Sequence, residues 1–183
     1  DGWTVTWGEE DVADPVPNGT TYGNYTVSSV KSKVSSNSKE LNGKKFTHRF
    51  QFNGKDKDIS IFFEAPTKGT LTVYGITGSS SALDRCLTLE GDNGYKETTP
   101  AFPNVLTEYT FTFEEGGTYY LYSTVGAVNI YYLSYEMGLD GTAPVIKESS
   151  VKAELPADGS SMAEISWAIE TEAVGNAKIQ VEY

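Results

Sequence analysis

Apolar side chains recur at every second position through most of this chain, in short runs that glycine, asparagine and proline interrupt. Leu71 and Val73 alternate with Thr72 and Tyr74, and Leu87 and Leu89 resume the alternation after a serine-rich break at Gly78–Ser81. Ile59, Ile61 and Phe63 share one parity, as do Tyr109, Phe111 and Phe113. A period of two puts successive side chains on opposite faces of a strand, whereas a helix face needs a period near 3.6. The breaks carry turn chemistry: Asn42-Gly43, Asn53-Gly54, Gly91-Asp92-Asn93-Gly94 and Gly116-Gly117. Many short strands closed by such turns predict an all-β fold, an antiparallel β-sandwich of jelly-roll-like layout with a short C-terminal β extension.

Individual residues within this frame carry chemical meaning. Phe46, His48, Phe50 and Phe52 are expected to face one way, which makes His48 a core histidine rather than a metal ligand. Thr47, Arg49 and Gln51 then face the other way, and Arg49 and Gln51 are offered to solvent or to a ligand. Arg85 enters a strand from the serine-rich loop, and a guanidinium there must be paired or solvated. A structural ion pair with Asp84 or a nearby glutamate is one reading of it; an anion-binding position is the other. With 12 tyrosines and 8 phenylalanines, some rings must lie outside the core. There they can pair across strands or stack on sugar faces.

Charge narrows the function classes. The formal net charge is −11, which disfavours a sequence-neutral nucleic-acid binder. The sign is unevenly spread, because residues 31 to 57 carry a net +6 and leave −17 for the rest. Such a basic island suits local anion recognition, or a strand edge blunted by lysines. No apolar run is long enough to cross a bilayer, so no membrane partner is expected. The chain opens inside strand-like sequence, as a piece cut from a longer protein would. Cys86 is the only cysteine and His48 the only histidine, which excludes an intrachain disulfide and gives a poor nucleophile pairing. Glu9, Glu10, Asp11 and Asp14 offer carboxylates, but their spacing matches no calcium loop. A solvated acidic loop is the preferred reading, and a structural calcium is left open. Asp56 and Asp58 stand in a lysine-flanked turn that nothing marks as a catalytic carboxylate pair.

The texture changes at Gly138. Residues 1–137 are expected to form the sandwich, 138–144 a linker rich in Gly, Asp and Pro, and 145–183 a separate β segment. Strand patterns at 163–169 and 177–183, the first holding Trp167, resemble the opening of an immunoglobulin or fibronectin type III module. The piece is too short for the whole of one.

Four segments in order are similar to the family 77 carbohydrate-binding modules: Asn42–Gly54, Thr70–Gly75, Ser79–Leu89 and Tyr119–Glu136. The resemblance spans roughly Leu41 to Glu136. It implies a compact β-sandwich without catalysis, an extracellular or cell-surface location, and neighbouring domains such as a pectate lyase or another pectin-active enzyme of plant-degrading bacteria. The partner it implies is pectin, chiefly homogalacturonan in plant cell wall, gripped by basic side chains. Gln51 and Thr124 stand where relatives tend to carry lysine. The expected substrate-binding residues are Arg49, Gln51, Lys55, Lys57, Lys68 and Arg85, with no catalytic residue and no cofactor. Two other functions remain from the residues themselves. One is recognition of a neutral β-glycan such as xyloglucan or β-glucan through tyrosine stacking. The other is an adhesion or spacer role with no sugar site.

Overall fold

The computed structural model describes residues 3–28 and 31–138, together with the strands Lys152–Glu154 and Glu164–Ser166. The chain divides into two compact units, Asp1–Met137 and Gly138–Tyr183. In the second unit, Lys152–Glu154 and Glu164–Ser166 pair antiparallel. The expected linker at 138–144, the strand at 177–183 and the immunoglobulin-like reading lie outside the described residues.

The first unit is an antiparallel β-sandwich. Its strands are β1 (Thr4–Val5), β2 (Thr21–Tyr22), β3 (Tyr25–Ser28), β4 (Ser32–Leu41), β5 (Lys44–Phe52), β6 (Ser60–Ala65), β7 (Gly69–Thr77), β8 (Leu87–Gly91), β9 (Lys96–Thr98), β10 (Thr107–Phe113), β11 (Gly117–Ser123) and β12 (Val128–Met137). One sheet has the order β10-β7-β12-β5-β4, with β1 also paired to β12. The other has the order β2-β3-β6-β11-β8-β9. Asn42 and Gly43 both take positive φ, 50° and 73°, and so form the tight turn that joins β4 to β5.

Inward residues of the alternating runs meet between the layers. Phe50, Leu71, Val73, Phe111, Phe113, Ile130, Leu133 and Tyr135 come from the first sheet. Tyr25, Val27, Ile61, Phe63, Leu87, Leu89, Tyr119 and Leu121 come from the second. Phe113 lies 4.1 Å from Tyr119 and 5.8 Å from Tyr135, centroid to centroid, stacked on both. Phe63 stacks on Tyr119 from the second sheet, 5.8 Å away. Each such ring removes a large apolar area from water, and near-parallel offset pairs add to that gain.

The flanks of the sandwich are closed differently. On one side Glu97 of β9 accepts hydrogen bonds from Tyr109 of β10 and from Tyr95, both 2.6 Å, so one carboxylate ties an edge of each sheet together. That bond to Glu97, helped by burial, pushes the Tyr109 hydroxyl up to about 12. On the other side the segment before β2 lies along the edge of β4, with a bridge between Val12 and Val34. An exposed edge is thereby covered.

One expectation is corrected here. Phe46 leaves the inter-sheet core that Phe50 and Phe52 join. It packs instead in a second cluster with Tyr74, Ile76, Leu106 and Tyr131, on the outer face of the first sheet. The cause is a split in the sheet. β5 pairs with β12 only from Phe52↔Val128 to Phe50↔Ile130, after which β1 takes that side of β12 at Leu133 and Ser134. There β5 no longer pairs with β12, and β4 carries a bulge between Ser36 and Lys39, so the alternation that places Phe50 inside does not carry through to Phe46. His48 is buried as expected, and it contacts Ser36, Asp11 and Thr47.

Phe113→Ala should lower unfolding stability by about 3–5 kcal/mol, measured by urea denaturation. Leu83→Ala, at a side chain 71% exposed, should change it by less than about 0.5 kcal/mol.

Candidate functional site

Two irregularities shape the outer face of the first sheet. β12 carries a bulge between Ile130 and Tyr132, so Tyr131 and Tyr132 both join the outer cluster while Ile130 and Leu133 stay in the core. The connection from β9 to β10 wraps the sandwich. Phe102 plugs the inner face at Gly75, where a Cβ would come within 2.7 Å of its ring, and Leu106 reaches the outer cluster. Asn104 is carried between them.

The loop after β7 is folded by its own hydroxyls. Thr77 Oγ1 accepts from the Ser79 amide, and Ser79 Oγ accepts from the amides of Ser81 and Ala82. Gly78 lies so close to Ala127 that a Cβ would sit 2.6 Å from its carbonyl oxygen. The loop is thus held against β12's N-terminal end.

Between this loop and β4 lies a cleft of about 200 Å³, lined by Asn37, Lys39, Arg49, Ile76, Thr77, Gly78, Ser79, Ser80, Asn104, Asn129 and Tyr131. Arg49 Nε donates to Ser35 Oγ, 3.2 Å. Tyr131 donates to Asn37 Oδ1, 2.6 Å; burial raises its hydroxyl above the ordinary range, and Arg49 opposes that shift. Asn129 is buried, donates to Thr77 O at 3.4 Å, and keeps a side-chain oxygen without a partner. The lining contains two cations and no carboxylate. Neither Arg49 nor Lys39 has an ion-pair partner among the described residues. The lining is mixed: Ile76 and Tyr131 stand among amides and hydroxyls, and the one aromatic ring, Tyr131, is fully buried. The cleft therefore suits hydrogen bonding and anion pairing more than ring stacking.

The six residues expected from sequence do not share one face. Arg49 lies in the cleft. Gln51 is on the same sheet face, between Lys33 and Asn129, but it is buried, against the expectation that it is offered to solvent. Lys55 is exposed in the turn between β5 and β6. Lys57 crosses to the outer face of the opposite sheet, where Nζ donates to Glu90 at 2.8 Å and lies 4.4 Å from the Tyr120 ring centroid. Lys68 sits in the β6–β7 turn. Arg85 pairs with Asp84 at 3.0 Å and donates to Val125 O at 2.8 Å, the structural arrangement its position also allowed. Lys39, Asn104, Asn129 and Tyr131 were not singled out from sequence. Lys39 was visible only as part of the basic island, and the other three reach the cleft through a loop and a bulge that no period announces. Among the described residues no group of three or more His, Cys, Asp or Glu side chains is arranged to hold a metal ion.

No family model and no curated protein matches the chain. Among solved structures it is similar to a chain described with the Ruminococcus flavefaciens cellulosome and its glycan recognition, at 22% identity over 72% of this chain and 96% of that one, TM-score 0.42. It is also similar to a family 35 carbohydrate-binding module from Clostridium thermocellum, at 13% identity over 61% and 91%, TM-score 0.41. A third similarity is to a xylan-binding domain from Paenibacillus barcinonensis, at 16% identity over 74% and 92%, TM-score 0.42.

Glu90 accepts from Lys57, Tyr122 and Lys96, and these bonds hold its carboxyl down to about 2, against an ordinary 4.5. A depressed carboxyl contributes stability that is present above its unfolded value and lost as pH falls through the folded one. Wild type should therefore lose stability between pH 4.5 and 2. Glu90→Gln should show a shallower loss over the same window, read from urea unfolding at each pH.

Proposed function

We propose that this chain is a noncatalytic carbohydrate-binding module, and that the outer-face cleft takes an acidic plant polysaccharide, homogalacturonan of pectin. One observation carries the reading: on a protein of net charge −11, Arg49 and Lys39 line a cleft that holds no carboxylate. Cations without an ion-pair partner among the described residues, surrounded by amides and hydroxyls, match a ligand with a carboxylate on each sugar and hydroxyls between. Arginine can grip a carboxylate with two parallel bonds, and lysine adds a point charge. The neutral groups Asn37, Ser79, Ser80 and Asn104 in the lining would meet sugar hydroxyls. Such a module would act outside the cell and hold an attached pectin-active enzyme against its substrate.

The acidic remainder of the protein repels a polyanion at long range, so binding depends on the local field of the cleft. Exposed ion pairs are each worth only about 0–1 kcal/mol, which predicts modest affinity that falls with salt. A neutral β-glycan is the second reading, favoured by the preponderance of uncharged groups in the lining. Its binding would tolerate salt.

Affinity electrophoresis through gels with low-ester pectin should retard the wild type, and Arg49→Ala or Lys39→Ala should weaken retardation roughly two- to fivefold. Lys57→Ala and Arg85→Ala should leave it near wild type. Equal mobility of the wild type with and without pectin overturns the reading, and salt-resistant retardation by xyloglucan would replace it with the neutral one.

A further inference from the structure

Asp11 is outside the cleft, yet it holds the strand that forms one wall of it. Its Oδ1 accepts the Ser36 backbone N–H at 2.7 Å and the Ser36 hydroxyl at 2.9 Å. His48 Nε2 lies 3.3 Å from the same oxygen. Ser36 is the last regular residue before the β4 bulge that ends at Lys39. An amide on an edge strand next to a bulge has no ladder partner, and here a side chain from the covering segment supplies the acceptor. The residues of this stretch that matter to the cleft lie within three positions of Ser36. Ser35 orients Arg49, Asn37 receives Tyr131, and Asn37 and Lys39 line the cleft themselves.

We propose that Asp11 is a positioning residue for ligand binding: it latches the β4 bulge and thereby sets Lys39, Asn37 and, through Ser35, Arg49. The inference rests on the cleft reading above and goes beyond it by giving a role to a carboxylate that touches no ligand. The sign of its effect separates it from simple electrostatics. Removing a negative charge from a protein that binds a polyanion should tighten binding. Removing a latch should weaken it.

Titration calorimetry with an oligogalacturonate at low salt tests this, with the fold of each variant checked by thermal melting. Asp11→Ala should weaken binding roughly fivefold despite the lost charge. Asp11→Asn keeps one carbonyl acceptor for the Ser36 amide and should stay within about twofold of wild type, as should Ser36→Ala, which keeps the backbone bond. If Asp11→Ala does not fold, Asp11→Glu carries the test, because it keeps the charge but displaces the carboxylate; it should bind more weakly, and unchanged affinity overturns the latch. Equal or tighter binding by Asp11→Ala also overturns it. Arg49→Ala in the same assay separates the two levels. If Arg49→Ala weakens binding and Asp11→Ala does not, the latch alone falls. If Arg49→Ala has no effect, the cleft reading falls and the latch with it.

Discussion

Four rings hold the two layers of this protein together. Phe113 and Tyr135 of one sheet and Phe63 and Tyr119 of the other form a continuous stack across the interior. Everything on the outer faces is referred to that contact. A sheet whose inner face is locked by interdigitated rings cannot slip by one residue without moving every side chain to the wrong side. The outer face can then hold polar and charged groups in fixed positions. Two tyrosine hydroxyls extend the interior into hydrogen bonds with loop carbonyls: Tyr119 reaches Glu115 O and Tyr135 reaches Thr67 O. Turns beside the stack are thus fastened to it.

The charge distribution follows a division of labour. Lys57 and Lys96 meet at Glu90, Arg85 meets Asp84, and Lys44 lies over the Tyr132 ring. These cations are engaged with their own protein. Arg49 is steadied by a serine hydroxyl, a neutral partner that fixes geometry and leaves the charge available for an anion. Counting basic residues along the chain could not separate the two groups, because Arg49 and Lys57 belong to the same basic island and end on opposite faces of the sandwich.

What could be read from sequence follows from period and turn chemistry. Leu71, Val73, Ile61, Phe63, Phe111 and Phe113 face inward as the alternation requires, and Asn42-Gly43 makes the turn its residues favour. The all-β sandwich was legible for that reason. Phe46 was misplaced because parity assumes an unbroken ladder, and β5 parts from β12 after Phe50. Parity reports a face and not what covers it, so it offers Gln51 to solvent or to a ligand although the side chain is buried. Of the cleft, the sequence pattern marks only Arg49 as a binding residue. Asn104 arrives through an irregular connection anchored by Phe102, and Asn129 and Tyr131 flank Ile130 at the head of β12. Such placements depend on contacts far apart in sequence.

The bulge in β12 has a consequence for how such a surface can change. A strand with strict alternation couples its two faces in a single phase, so a one-residue insertion exchanges interior for exterior along its whole length. The irregularity between Ile130 and Tyr132 works as a phase break. Upstream, Val128 and Ile130 keep their own rhythm; downstream, Leu133 and Tyr135 keep another. Tyr131 continues the upstream rhythm and Tyr132 the downstream one, so two neighbouring rings fall on the same outer face while the hydrophobic interior on both sides stays in step.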